Sequence, residues 1–164
     1  MRSAWIRWVT GAGIGICVVM GAYLIAYPRY YSPKAVLARH LGADPAAYLD
    51  ATALVEKAGK TKHLTDGEVE SLGALADDRS RAVRVNAVGA LMYLGGTGQA
   101  RAAARIAARK VKDPEREVRF VALKTLYRLN APEAADAARK LSNDPDETVR
   151  SRALEFAGRH SGGK

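Results

Sequence analysis

The sequence predicts an all-α protein, a short α-solenoid of about four helix pairs that is preceded by one transmembrane helix. Three observations support this fold class. One sequence pattern occurs in four copies that begin 34, 35 and 31 residues apart, a stretch near the N-terminus lacks charge, and no segment shows the alternation typical of strands. Of the 164 residues 48% are hydrophobic, which is enough for a packed core, and the single cysteine excludes an internal disulfide.

The clearest copies of the pattern begin at Asp78, Asp113 and Asp144. In each copy a Val-Arg pair follows five and six residues later, an alanine at nine and another apolar residue at ten. These apolar positions recur at helical spacing and predict one buried helix face per copy. The residues are Val83-Arg84, Val118-Arg119 and Val149-Arg150, then Ala87-Val88, Ala122-Leu123 and Ala153-Leu154.

A fainter copy begins at Asp44. It places Leu49, Ala53 and Leu54 at the same apolar offsets, but Asp50 stands where the other copies have arginine. We therefore expect the first unit to be a cap of the stack rather than a full repeat.

Each copy predicts the second helix of a pair. Asp44, Asp113 and Asp144 precede proline, so we expect the aspartate to cap the helix and the proline to occupy its first turn. Glu147 is expected to complete a capping box with Asp144. The first helices are predicted at 34–42, 66–76, 98–111 and 132–141, with a capping box of Thr65 and Glu68 before 66–76.

The pattern Asp-Pro-x-x-x-Val-Arg-x-x-Ala-Leu over residues 113–123 resembles the second helix of HEAT repeats, specifically the short variety called PBS-lyase-like HEAT repeats. The resemblance implies a curved stack with the first helices convex and the second helices concave. It also implies that aspartate and arginine interact along the turns between repeats. The residues at these structural ladder positions are Asp78/Arg84, Asp113/Arg119 and Asp144/Arg150.

Residues 8–28 contain no charged side chain and, as a helix, are long enough to span a bilayer. The sequence thus predicts a short tail at 1–7, a single transmembrane helix at 8–28, a linker at 29–33, the solenoid at 34–158 and a flexible tail at 159–164. A cleaved signal peptide is the alternative for the apolar segment.

The apolar segment also bears on assembly and location. Gly11 and Gly15 have the spacing that lets two membrane helices pair, so a homodimer is possible through this face. Because the N-terminal tail is short, we expect it in the cytoplasm and the solenoid on the extracytoplasmic side of the cell membrane.

No motif in the chain indicates catalysis, a cofactor or a bound metal. His40, His63 and His160 lie far apart in the sequence and none belongs to a ligand pair. The family that the pattern resembles includes hydroxylases that use iron, and also proteins that assist the attachment of bilin. A HEAT-like lyase or hydroxylase is therefore a third hypothesis. It rests on the scaffold alone, and a fold does not establish an activity.

The concave side carries the first candidate binding site. If the resemblance holds, Phe120, Lys124 and Arg128 line the middle of the groove. An exposed phenylalanine flanked by cations suits an acidic, partly apolar peptide or helix. Burial of Phe120 against the next repeat is the alternative.

The second candidate is a cationic stripe of Arg101, Arg105, Arg109 and Lys112 on one predicted helix. It could bind nucleic-acid phosphates or anionic lipid heads, or it could be an ordinary solvated face. The sequence therefore predicts a membrane-anchored, non-catalytic scaffold or adaptor that binds another protein, with an anion binder as the alternative. The small basic excess of the solenoid disfavours nucleic acid.

Overall fold

A computed structural model describes the backbone of residues 32–161 and the side chains of residues 32–158. In this part of the chain the regular secondary structure is helical and no strand occurs, in agreement with the predicted all-α class. The helices are α1 (Pro33–His40), α2 (Pro45–Thr61), α3 (Asp66–Leu75), α4 (Arg81–Leu91), α5 (Ala100–Lys110), α6 (Arg116–Arg128), α7 (Glu133–Leu141) and α8 (Glu147–Ser161), and a 3₁₀ turn at Met92–Leu94 follows α4.

Several N-terminal predictions lie outside the described residues. These are the tail at 1–7, the transmembrane helix at 8–28 with its glycine pair, and most of the linker at 29–33. Among the helices of residues 32–161, none combines the length and apolarity that a bilayer crossing requires. At the other end α8 continues to Ser161, so the backbone of residues 159–161 is helical where the sequence predicts a tail.

The helices form consecutive pairs, α1/α2, α3/α4, α5/α6 and α7/α8, that stack in chain order. The second helices α2, α4, α6 and α8 pack against one another in a row, whereas α3, α5 and α7 meet over fewer residues. Neighbouring repeats approach most closely on the inner side of a curved stack. The second helices therefore form the concave side of a short solenoid.

The repeat offsets predict burial in the last three units. The valine before each ladder arginine is at most 1% exposed, and the alanine three residues after that arginine is fully buried. Small side chains at the latter position let the paired helices approach closely. The residues are Val83, Val118, Val149, Ala87, Ala122 and Ala153.

The first unit departs from the predicted register. The sequence predicts Leu49, Ala53 and Leu54 as the buried face of α2, but Ala53 is exposed and the two leucines are only half-buried. Ala51 and Ala58 are fully buried instead. Among the described residues α2 packs against α1 and, over more residues, against α4. The first unit therefore does not follow the burial pattern of the other three units.

The helix starts of the first two units agree with the sequence. The carboxylate of Asp44 accepts a hydrogen bond from the backbone N–H of Ala47 at 2.9 Å and caps α2. Thr65 and Glu68 form the predicted capping box at α3. These bonds satisfy N–H groups that a helix start leaves open.

Asp113 and Asp144, in contrast, do not cap α6 and α8 as predicted. Each carboxylate accepts a hydrogen bond from the backbone N–H two residues on, that of Glu115 at 3.0 Å and that of Asp146 at 2.9 Å. This local turn precedes the helix and leaves the carboxylate facing the preceding repeat. The helices begin only three residues after each aspartate.

The predicted capping box of Glu147 with Asp144 is also wrong. Asp146 takes the capping role at α8, because its carboxylate accepts a hydrogen bond from the backbone N–H of Val149 at 3.1 Å. Glu147 is the first residue of the helix and is exposed.

We expect Leu123→Ala to destabilise the fold far more than Leu154→Ala, although both leucines share one repeat offset. Leu123 is fully buried, whereas Leu154 is 59% exposed. Truncating a buried leucine lowers the free energy of unfolding by about 2 to 5 kcal/mol, and an exposed one by no more than about 0.5 kcal/mol. Urea unfolding of both full-length variants measures the difference, and equal losses would contradict this stack.

Candidate partner-binding surfaces

Two arginines on the second helices each bind an aspartate of the following repeat. Arg84 donates from Nε and Nη2 to both carboxylate oxygens of Asp113 at 2.9 and 3.0 Å, and Arg119 binds Asp144 in the same way with both bonds at 2.7 Å. Both arginine side chains are only 11% exposed, and the aspartates 4% and 2%. Paired, charge-assisted bonds at such sites fix geometry as well as adding stability.

The same arginines also donate hydrogen bonds to backbone carbonyl oxygens in the turn that precedes their own helix. Nη1 of Arg84 donates to the backbone carbonyl oxygens of Asp78 and of the residue after it, both at 3.0 Å. Nη1 of Arg119 makes the equivalent bonds to Asp113 and the proline after it at 3.0 and 2.8 Å. Within one repeat the ladder residues therefore interact through the aspartate carbonyl, and the carboxylate serves the preceding repeat.

The contact between Arg119 and Asp144 shifts the pKa of both side chains. The hydrogen bond from Arg119 lowers the pKa of Asp144, although desolvation acts in the opposite direction. The hydrogen bond to Asp144 raises the pKa of Arg119 in turn. Both groups are therefore charged at neutral pH, and Arg119 and Asp144 form an ion pair.

The ladder ends where the repeat pattern ends. Asp50 stands at the arginine position of the first unit, and no arginine of the described residues pairs with the carboxylate of Asp78. Asp78 instead accepts a hydrogen bond from the backbone N–H of Ser80 at 2.7 Å. At the other end Arg150 bonds the carbonyl oxygens of Asp144 and Pro145.

A groove of about 370 Å³ lies on the concave side, between α4, α6 and the start of α8. Its floor is apolar, and the residues that line it are Val85, Phe120, Val121, Thr148, Val149, Arg116, Glu117 and Asp146. Phe120 is half-buried and lines the groove, so neither full exposure nor full burial describes it. The guanidinium of Arg152 lies 5.9 Å from the Phe120 ring centroid.

Lys124 and Arg128 lie on the same helix, one and two turns beyond Phe120, and both are exposed. They do not line the groove itself but extend the same face of α6 away from it. The sequence-predicted trio therefore consists of one groove residue and two cations beside the groove.

Sequence reasoning missed the polar rim of the groove. Arg116 pairs with Asp146 of the next repeat at 2.9 Å, as Arg81 pairs with Glu117 at 3.4 Å. The available signal was an arginine three residues after the aspartate in two copies. At this rim Oε1 of Glu117 accepts hydrogen bonds from both Arg81 and Arg116 at 3.4 Å.

The cationic stripe lies on the other side of the solenoid. Arg101, Arg105, Arg109 and Lys112 are all exposed. Arg105 and Arg109 border a cleft of about 470 Å³ between α3 and α5, and Asp66 and Glu70 border it from α3. Two carboxylates thus share the cleft with two of the arginines, which weakens its attraction for an anion.

The histidines are not brought together. His40 and His63 are both exposed, on α1 and before α3, and the side chain of His160 lies outside the described residues. Over the described part of the chain, no group of three His, Cys, Asp or Glu side chains is arranged to hold a metal ion.

Stacked helix pairs joined by an arginine–aspartate ladder define an α-helical repeat protein. Residues 69–158 match the family model of HEAT repeats. This match covers more than half of the 164-residue chain, so the protein belongs to the HEAT-repeat family. A search of curated proteins finds no relative that matches.

We expect Asp144→Asn to lower the free energy of unfolding by about 3 kcal/mol at neutral pH, because it leaves the guanidinium of Arg119 without its charged partner. The folded-state pKa of Asp144 is depressed, so its contribution is present above the unfolded pKa of about 4 and is lost as pH falls through the folded value. Urea unfolding from pH 7 to pH 2 measures this.

The difference in unfolding free energy between the wild type and Asp144→Asn should therefore shrink below about pH 4. Asp136→Asn is the matched control, since Asp136 forms an exposed pair with Arg139 on α7. Its effect should be within about 0.5 kcal/mol. A wild-type advantage over Asp144→Asn that stays constant down to pH 2 would contradict the ion pair.

Proposed function

We propose that the protein is a membrane-anchored, non-catalytic HEAT-repeat scaffold that binds another protein through the concave side of its solenoid. The observation that carries the proposal is the groove beside Phe120, which is apolar, open and framed by charge. HEAT repeats typically serve as helical scaffolds for protein interaction rather than as catalysts. No cofactor forms part of the proposal.

The groove specifies the chemistry of the partner. Val85, Phe120 and Val149 offer an apolar floor to which a leucine-sized or aromatic side chain can pack. Lys124 and Arg128 lie beside it and suit acidic residues of the same segment. A partner that presents a short amphipathic segment, with one apolar anchor and acidic residues next to it, fits this surface.

The anchor is the predicted transmembrane helix at 8–28, and its length and flanking aromatic residues support it. The four residues between this segment and α1 reach at most about 14 Å, so the solenoid would be held at the membrane surface. We place the solenoid on the extracytoplasmic side of the cell membrane, where its partner would be a membrane or extracytoplasmic protein.

A photo-crosslinking amino acid at Lys124 tests the groove in native membranes. Lys124 is exposed and lies one turn from Phe120, so this substitution leaves the groove floor intact. We expect a discrete crosslinked product whose yield falls at least about tenfold when Phe120→Ala is added, because aromatic anchors carry much of the affinity of such contacts.

The control places the crosslinker at Arg105, on the opposite side of the solenoid, and should not give this product. Absence of a product at Lys124, or a product indifferent to Phe120→Ala, would overturn the groove assignment. The same membranes test the anchor: the full chain should resist alkaline carbonate extraction, and a chain without residues 1–31 should be released. Release of the full chain would overturn the anchor alone.

A second candidate function is binding of anionic lipid or nucleic acid by Arg101, Arg105 and Arg109. Their common exposure on α5 favours it, and Asp66 and Glu70 across the cleft oppose it. Binding to anionic vesicles or to DNA that falls steeply with salt, and is lost in the triple alanine variant, would establish this alternative. Under the scaffold proposal the triple variant keeps the crosslinked product.

A further inference from the structure

The last repeat ends in an arginine that is oriented but not paired with a carboxylate. Nη1 of Arg150 donates to the carbonyl oxygens of Asp144 and Pro145 at 2.6 and 2.9 Å, as Arg84 and Arg119 do in their own turns. In those two repeats Nε and Nη2 hold the next aspartate. Among the described residues no carboxylate bonds Nε or Nη2 of Arg150.

An apolar residue beside Arg150 is open in the same way. Leu154 lies one turn further along α8 and is 59% exposed, whereas Val88 and Leu123 at the same repeat offset are fully buried. The outer face of α8 therefore carries the charged half and the apolar half of the contact that each inner repeat makes with its successor.

The opposite end of the stack presents the complement. The side chain of Asp44 is exposed, and within the described residues its carboxylate accepts a hydrogen bond from the N–H of Ala47 and forms no ion pair. Val36 and Leu37 on α1, and Leu41 directly after it, are 41%, 48% and 42% exposed. Within the described residues, the large exposed apolar side chains lie only at the two ends of the stack.

We propose that copies of the protein associate end to end, with Arg150 of one copy bound to Asp44 of a second copy and Leu154 packed beside Leu41. Asp44 holds the same repeat offset as the two aspartates that bind the inner arginines, although its carboxylate bonds the N–H three residues on rather than two. The contact joins two different surfaces, so it can continue from copy to copy, as an open series or a ring, and does not close as a symmetric dimer. The predicted anchor precedes the first residue of α1, whereas Asp44 follows the last residue of α1, so the anchor and the proposed contact lie at opposite ends of this helix.

This inference is independent of the groove and of its partner. Its test uses the full chain in a mild detergent, with Gly11→Leu and Gly15→Leu in every sample to remove pairing through the apolar segment. Sedimentation velocity over a concentration series should give dimers and longer species. Asp44→Ser, which keeps a helix-capping oxygen, and Arg150→Gln should each raise the dissociation constant at least about tenfold.

An equimolar mixture of these two variants gives the sharpest result. The Asp44→Ser chain retains Arg150 and the Arg150→Gln chain retains Asp44, so the mixture can form one strong contact and should stop at the dimer. Leu154→Ser should weaken association without touching the core, and Arg101→Gln on α5 is the matched control that should change nothing.

Three outcomes would overturn the proposal. They are a parent chain (Gly11→Leu, Gly15→Leu) that stays monomeric throughout the series, single variants that associate as this parent does, and a mixture of the two variants that forms species longer than the dimer. Circular dichroism confirms that each variant is folded. If Arg150→Gln fails this check, Asp44→Ser and Leu154→Ser still decide the question, because Asp44 and Leu154 are exposed.

Discussion

The bidentate contact between the arginine of one repeat and the aspartate of the next sets the spacing of the solenoid. Arg84 and Arg119 each hold three groups at once, namely two carbonyl oxygens of their own turn and the carboxylate that begins the following turn. The aspartate in turn holds the N–H two residues on. Two consecutive turns thus share one connected set of polar groups, which leaves little freedom in how one pair stacks on the next.

The groove depends on this spacing. Val85 directly follows Arg84 and Phe120 directly follows Arg119, so two apolar residues that line the groove are positioned by the ladder. The partly exposed pair of Arg116 with Asp146 adds a further link between repeats at the groove rim. Because exposed ion pairs contribute little stability, we regard this rim as a feature of the surface that a partner meets.

Periodicity predicted the repeats because burial follows it. Val118 and Ala122 are buried, as are the residues at the same offsets in the repeats before and after, so the offsets indicate the core face of α6. The ladder partners were harder to predict. Asp113 lies 29 residues from Arg84 and six from Arg119, and only the stacked geometry places its carboxylate on the former and its carbonyl on the latter.

The orientation of α2, the groove rim and the burial of Phe120 could not be predicted from the repeat pattern, because each depends on how the helices pack. The buried face of α2 is turned relative to that of the later second helices, which a repeat offset does not encode, and Ala53 is exposed as a result. The groove residues Arg116, Glu117 and Asp146 come from two repeats and meet only through stacking. For Phe120 the sequence left exposure and burial open, and the structure places it between the two.

A double-mutant cycle on Arg84 and Asp113 tests the central claim most directly. Unfolding free energies of Arg84→Gln, Asp113→Asn and the double variant should give a coupling energy of about 2 kcal/mol, because the two side chains share two short bonds. The parallel cycle of Arg84→Gln with Asp78→Asn should give almost none, since Arg84 meets only the carbonyl of Asp78. Coupling to Asp78 with none to Asp113 would contradict the ladder between repeats.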